Sequence, residues 1–125
     1  MPSTRSLRAA LLLFGLVCLV GFYPLTVFWP SGWAWQPPQP MYLQMIIGVY
    51  AVLGLFLLRA ARDPLAHRSL IWFTIWSSAV HAGVMAYHAL MDPAQRGHLW
   101  GDVPALLLMA LVLGVLMRRA DLRSS

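Results

Sequence analysis

Charge is what this sequence has least of. Charged residues make up 10% of its 125 positions, against a hydrophobic share of 60%. A soluble domain averages about 25% charged and about 45–50% apolar. Such a chain cannot cover itself with polar surface, so the solvent it expects is lipid. Cysteine is nearly absent too. Cys18 is the single one, which excludes an intrachain disulfide, and no CxxC or Cys/His pair points to a zinc site. Set among Leu and Val, Cys18 reads as a small buried hydrophobe. A basic stripe interleaved with exposed aromatics is also missing. The formal net charge of +5 is therefore no sign of nucleic-acid binding, because the arginines stand at the ends of apolar runs.

Four apolar runs are present: about 9–29, 41–58, 70–90 and 100–117. A helix crossing the hydrocarbon core needs about 20 residues, with a range of about 17–25. None of the runs alternates polar and apolar residues as a membrane strand must. Backbone groups in lipid must be satisfied internally, so the expectation is an all-α, four-helix transmembrane bundle forming a single domain over 1–125, with short links and antiparallel neighbours. Arg5 and Arg8 precede the first run as in a signal peptide, but no small-x-small cleavage site follows, and a retained helix is expected.

Orientation follows from the arginines. Arg5 and Arg8 precede the first run, Arg59, Arg62 and Arg68 separate the second and third, and Arg118, Arg119 and Arg123 follow the fourth. Arg96 alone lies in the other connections, eight against one. The positive-inside rule then places both termini in the cytoplasm. The first loop, WPSGWAWQPPQPMY, faces outward. Its Trp29, Trp33, Trp35 and Tyr42 suit the interfacial aromatic belt. Its Pro30, Pro37, Pro38 and Pro40 favour a stiff extended link.

The four acids have ordinary explanations. Asp63 and Asp92 each precede a proline and Asp102 stands two before Pro104, which suits N-capping. Asp121 reads as a tail charge. Asp102 keeps a second role open: it lies four residues after His98 in GHLWGD, and the two touch if that loop is helical. No carboxylate lies mid-run, so a carboxyl pair or a proton-relay acid is not supported.

The third run holds the polar residues that need a reason: WSSAVHAGVMAYHAL. With His81 at zero and about 100° per residue, Thr74, Ser77, Ser78, Met85 and His88 all fall within an arc of roughly 100°, one helix face. Trp72, Trp76, Ala79, Gly83 and Tyr87 take the other side. The expectation is that this stripe faces neighbouring helices, with His81 near the membrane centre and His88 about 10 Å further out. Gln44 enters from the second run near the outer surface, Gly48 and Ala51 follow on its face, and His98 and Asp102 lie at the outer interface.

Three readings of the stripe stay open. It can be packing glue, since Ser, Thr and His side chains bond across helices and small residues such as Gly48, Gly54, Ala110 and Gly114 let helices approach. It can line a site for an apolar molecule such as a quinone or lipid, formed by His81, Met85, His88, Ser77, Ser78, Gln44, His98 and Asp102. Or it can serve a metal or haem in a redox-associated protein, for which Met85, His88 and His98 are the feasible donors, or a second histidine from a homodimer. His67 is read as interfacial. The most direct expectation is a non-catalytic membrane protein. No cofactor is identified, and a homo-oligomer or a subunit of a membrane complex remains open as its assembly state.

HRSLIWFTIWSSAVHA, RGHLWGDVPALLL and YPLTVFWPSGWAWQP resemble a family of small uncharacterised bacterial membrane proteins of four predicted helices, over Arg8 to Arg118. The resemblance implies a multi-pass protein of the bacterial inner membrane. It carries over no activity and no catalytic residue.

Overall fold

At 1.5 Å of rise per residue, runs of this length and apolarity become rods about as long as a bilayer is thick. The computed structural model describes residues 2–33 and 40–124, and all regular structure among them is helical. Helix α1 (Pro2–Leu16) passes through a π turn (Val17–Gly21) into α2 (Phe22–Phe28), followed by the single turn α3 (Pro30–Trp33). Then come α4 (Pro40–Ala60), a 3₁₀ turn (Pro64–His67), α5 (Arg68–Met91), a second 3₁₀ turn (Pro93–Leu99) and α6 (Asp102–Ser124). Three continuous helical stretches are long and apolar enough to cross a membrane: Thr4–Phe28, Pro64–Met91 and Pro93–Leu122. The apolar part of α4, Gln44–Ala60, is shorter. Only 22% to 39% of the residues in the most apolar window of each long stretch are buried, so most of each helix surface still calls for an apolar solvent.

The prolines act as starters and disturbers rather than as a stiff link. Pro30 and Pro40 each open a helix, the first-turn position where a missing N–H costs nothing. This corrects the expectation of an extended segment at those two positions; Trp35, Pro37 and Pro38 lie outside the described residues. Pro24 supplies a physical cause for the π turn just before it, because it cannot bond the carbonyl four residues back and its ring crowds that carbonyl. Cys18 sits buried in this turn.

The helices pair as two sequential hairpins. Helix α4 packs on α1 and on the π turn, and α5 packs along α6. The two hairpins meet where α1 lies against α6. Helices α4 and α5 barely touch despite their short connection. The fully buried apolar side chains Leu7, Leu11, Leu57, Ile71, Leu113 and Met117 gather toward the end that holds both described chain ends. There Asp121 is no bare tail charge: Arg68 Nε donates to its Oδ1 at 2.7 Å and Trp72 Nε1 to its Oδ2 at 3.3 Å.

Of the small residues expected to bring helices together, Gly54 does so. A Cβ there would lie 2.5 Å from the backbone of Gly15 and Leu19. Gly48 meets nothing within 4 Å and Gly114 makes an ordinary contact with Ile75 at 3.7 Å. Among the acids, the Asp92 carboxylate accepts from Ala94 N–H at 3.0 Å as a cap should. Asp63 precedes its 3₁₀ turn without a capping side-chain bond.

Candidate functional site

The buried residues of α5 are Ile71, Thr74, Ile75, Ser78, Ala82, Met85 and Ala89. Their mean direction is rotated about 60° around the helix from the centre of the polar stripe. The stripe is therefore split. Thr74, Ser78 and Met85 turn into the packed face, Ser77 and His81 lie half-buried on its flank, and His88 is exposed. The inward orientation expected of His88 is corrected: its flank is the open one between α4 and α5, and its ring stands edge-on to Tyr87 at 5.4 Å. Gln44 is also exposed. It lies about 120° around α4 from Tyr50, on another side of that helix.

Tyr50 is the partner that brings α4 to the stripe. Its hydroxyl is hydrogen-bonded to Nδ1 of His81. With the Tyr50 O–H as donor, the imidazole proton sits on Nε2, which leaves that N–H for a second partner. Tyr50 is 8% exposed and stands edge-on to Phe22 at 4.8 Å, and Phe22 meets Trp33 at 5.5 Å. A row of aromatic rings thus runs from α3 to His81. The signal was present in the sequence: Tyr50 sits at the middle of its apolar run, as His81 does of its own, and a phenol at mid-depth needs a hydrogen-bond partner.

His98 and Asp102 form the second polar centre. The turn Pro93–Leu99 runs into α6, so the two residues fall one helical turn apart. His98 Nδ1 lies 2.8 Å from both carboxylate oxygens of Asp102. The contact left open by GHLWGD is made. His98 is 0% exposed and Asp102 is 5% exposed. Glycines on either side of His98 permit the burial. A Cβ at Gly97 would lie 2.2 Å from the Ser31 carbonyl oxygen, and one at Gly101 would lie 2.3 Å from that of Gly32. The α3 backbone therefore lies directly on this turn and covers the histidine.

The two centres meet at a cavity of about 50 Å³ walled by Tyr50, His81, Met85, Asp102, Trp33 and Thr26 together with apolar side chains. At about 10–15 Å³ for each water-sized occupant, it has room for only a few heavy atoms. The indole N–H of Trp33 is buried without a partner. His81, Tyr50 and Ile46 also line a groove of about 410 Å³ in the gap between α4 and α5, along with Ser77 and apolar residues. A third recess of about 450 Å³, reaching His88, Asp92 and Gln95, shares His81 and Met85. His81 is thus common to all three spaces. Ser78 is sealed at 1% exposure, its hydroxyl unpartnered. His98 stands behind Asp102. Among the described residues no three His, Cys, Asp or Glu side chains converge as metal ligands would. The trio of Met85, His88 and His98 is divided between an exposed and a fully buried histidine.

Residues 2–125 match the model of a family of unknown function, DUF6632, and the chain belongs to that family. No curated protein and no solved structure matches the chain.

Proposed function

We propose that this member of a family without an assigned activity is a four-pass inner-membrane protein with both termini in the cytoplasm, and that its polar cluster around His81 is a non-catalytic binding site for an apolar small molecule or lipid. The orientation rests on the arginine bias of eight against one, with α4, 21 residues long, as the second span. The binding reading rests above all on one observation: His81 is a shared wall of a small, partly open cavity and two lateral recesses. The groove between α4 and α5 has the volume of a site for a drug-sized ligand, about 300–1,000 Å³, and the expected character, mostly apolar with a few placed polar groups. Met85, Ser77, Asp102 and Tyr50 belong to this site with His81. Thr74 and Ser78 serve packing, and the exposed His88 borders the recess.

Native mass spectrometry of protein extracted gently from membranes tests the reading. The expected result is the chain carrying a lipophilic adduct that His81→Ala loses. A wild-type chain that carries no adduct, and whose melting temperature no lipid extract or quinone raises, would defeat it. Cysteines introduced at positions 3 and 124 should resist a membrane-impermeant maleimide in intact cells; labelling of either would overturn the orientation.

A further inference from the structure

We infer that the occupant of this site carries an uncharged head with a hydroxyl or carbonyl oxygen, and that the site rejects anionic heads. The inference rests on the binding reading above and adds the chemistry of the ligand. The argument starts from the walls. The cavity of about 50 Å³ takes a head of a few heavy atoms, and the groove of about 410 Å³ that shares Ile46, Tyr50 and His81 with it takes the apolar body. A molecule with its tail in the groove therefore brings its head to His81.

Charge then selects among heads. The Asp102 carboxylate lines the cavity, and among the described residues no arginine lines the cavity, the groove or the outer recess. All the described arginine side chains are exposed. A phosphate or carboxylate head would stand beside the buried Asp102 carboxylate with no arginine to offset it, and that is a costly arrangement in a low-dielectric site. A cationic head fares little better. His98 already holds both oxygens of Asp102 at 2.8 Å, and an ammonium must be stripped of water to arrive.

The hydrogen-bonding groups favour an oxygen that is neutral. The imidazole of His81 has one nitrogen engaged by Tyr50 and one left for a ligand. The buried Trp33 N–H on the same wall lacks an acceptor, and Asp102 accepts. A carbonyl satisfies the donors, and a hydroxyl satisfies a donor and the acceptor together. Phosphodiester lipids, the bulk of a bilayer, are discriminated against by the same wall.

Four molecules sharing one 16-carbon chain decide the matter: hexadecanol, hexadecan-2-one, hexadecyl phosphate and hexadecylamine. Each is titrated into the full-length protein in nanodiscs of a neutral lipid, with affinity read by native mass spectrometry. The alcohol and the ketone should bind about tenfold tighter than the phosphate and the amine. Asp102→Asn keeps an acceptor for His98 and should bring the phosphate to within about threefold of the alcohol. Phosphate or amine binding as tight as the alcohol on the wild-type chain overturns the head-group assignment while leaving the site in place. Binding of none of the four overturns the site itself. The wild-type comparison decides the question even where the Asp102 variant does not fold.

Discussion

Replacing Gly54 by alanine should loosen the first hairpin, and the size of the effect follows from one contact. The added methyl carbon would sit 2.5 Å from the Gly15 carbonyl oxygen and from Leu19 N, and 3.0 Å from Cys18 Cβ, whereas ordinary contact begins at 3.4 Å. Two of those neighbours are backbone atoms, so no rotamer change relieves the overlap and α1 and α4 must separate. Overpacking of this kind costs about 1–3 kcal/mol. Against it stands the intrinsic helical preference of alanine over glycine, about 1 kcal/mol. Gly48→Ala is the matched control, because it lies on the same helix with nothing within 4 Å. The difference between the variants cancels the propensity and leaves the steric cost, and about 2 kcal/mol corresponds to roughly thirtyfold in the folding equilibrium. Reversible unfolding in mixed micelles, followed by helicity, measures it. A second readout ties the contact to the site. Tyr50 is one turn from Gly54 on the same face, so the shift should weaken its bond to His81, and Tyr50→Phe should cost less in the Gly54→Ala background than alone. Variants at 48 and 54 that agree within about 0.5 kcal/mol would refute the close crossing of α1 and α4, since that spread is typical of substitutions that touch nothing.

Three further outcomes are expected. Tyr50→Phe alone should lower stability by about 0.6–2 kcal/mol, the range for a hydrogen bond between membrane helices; no change in the unfolding midpoint would remove the bridge between α4 and α5. His98→Ala should cost about 1–3 kcal/mol, because it leaves the buried Asp102 side chain without its hydrogen-bond partner. The double variant His98→Ala/Asp102→Ala should recover part of that loss, and a double variant worse than the sum of the singles would contradict the pairing. Ser78→Ala should be neutral or stabilising by about 1 kcal/mol, since it deletes a buried hydroxyl that has no partner; a loss above about 1 kcal/mol in the same assay would show that the hydroxyl does bond.

Much of the scaffold could be read from the chain. Apolar length marked out helical stretches, three of them long enough to span a membrane, and the contact of His98 with Asp102 followed from their spacing once the loop proved helical. Burial of Cys18 followed from its neighbours. What could not be read was which helix faces which. Periodicity grouped His88 with His81 because it reports direction around one helix. The depth of burial in that direction is set by a neighbour, and α4 does not cover that flank. Tyr50 is hidden for the complementary reason: it lies about 120° around α4 from the face of Gln44, Gly48 and Ala51, so periodicity does not group it with them. The glycines at 97 and 101 are intelligible only once the α3 backbone is seen lying on them, and the small residues 48 and 114 looked equivalent to Gly54 until their surroundings were known.

The pairing of α4 with α1 and of α5 with α6 has a mechanical consequence. The two halves are held together where α1 lies against α6 and again where α3 lies on the turn Pro93–Leu99. The slack seam is the one between α4 and α5, which among the described residues is bridged by the Tyr50–His81 hydrogen bond. Those two helices can part a little while the other contacts hold. Entry from the side, through the acyl chains, then needs the parting of one phenol from one imidazole.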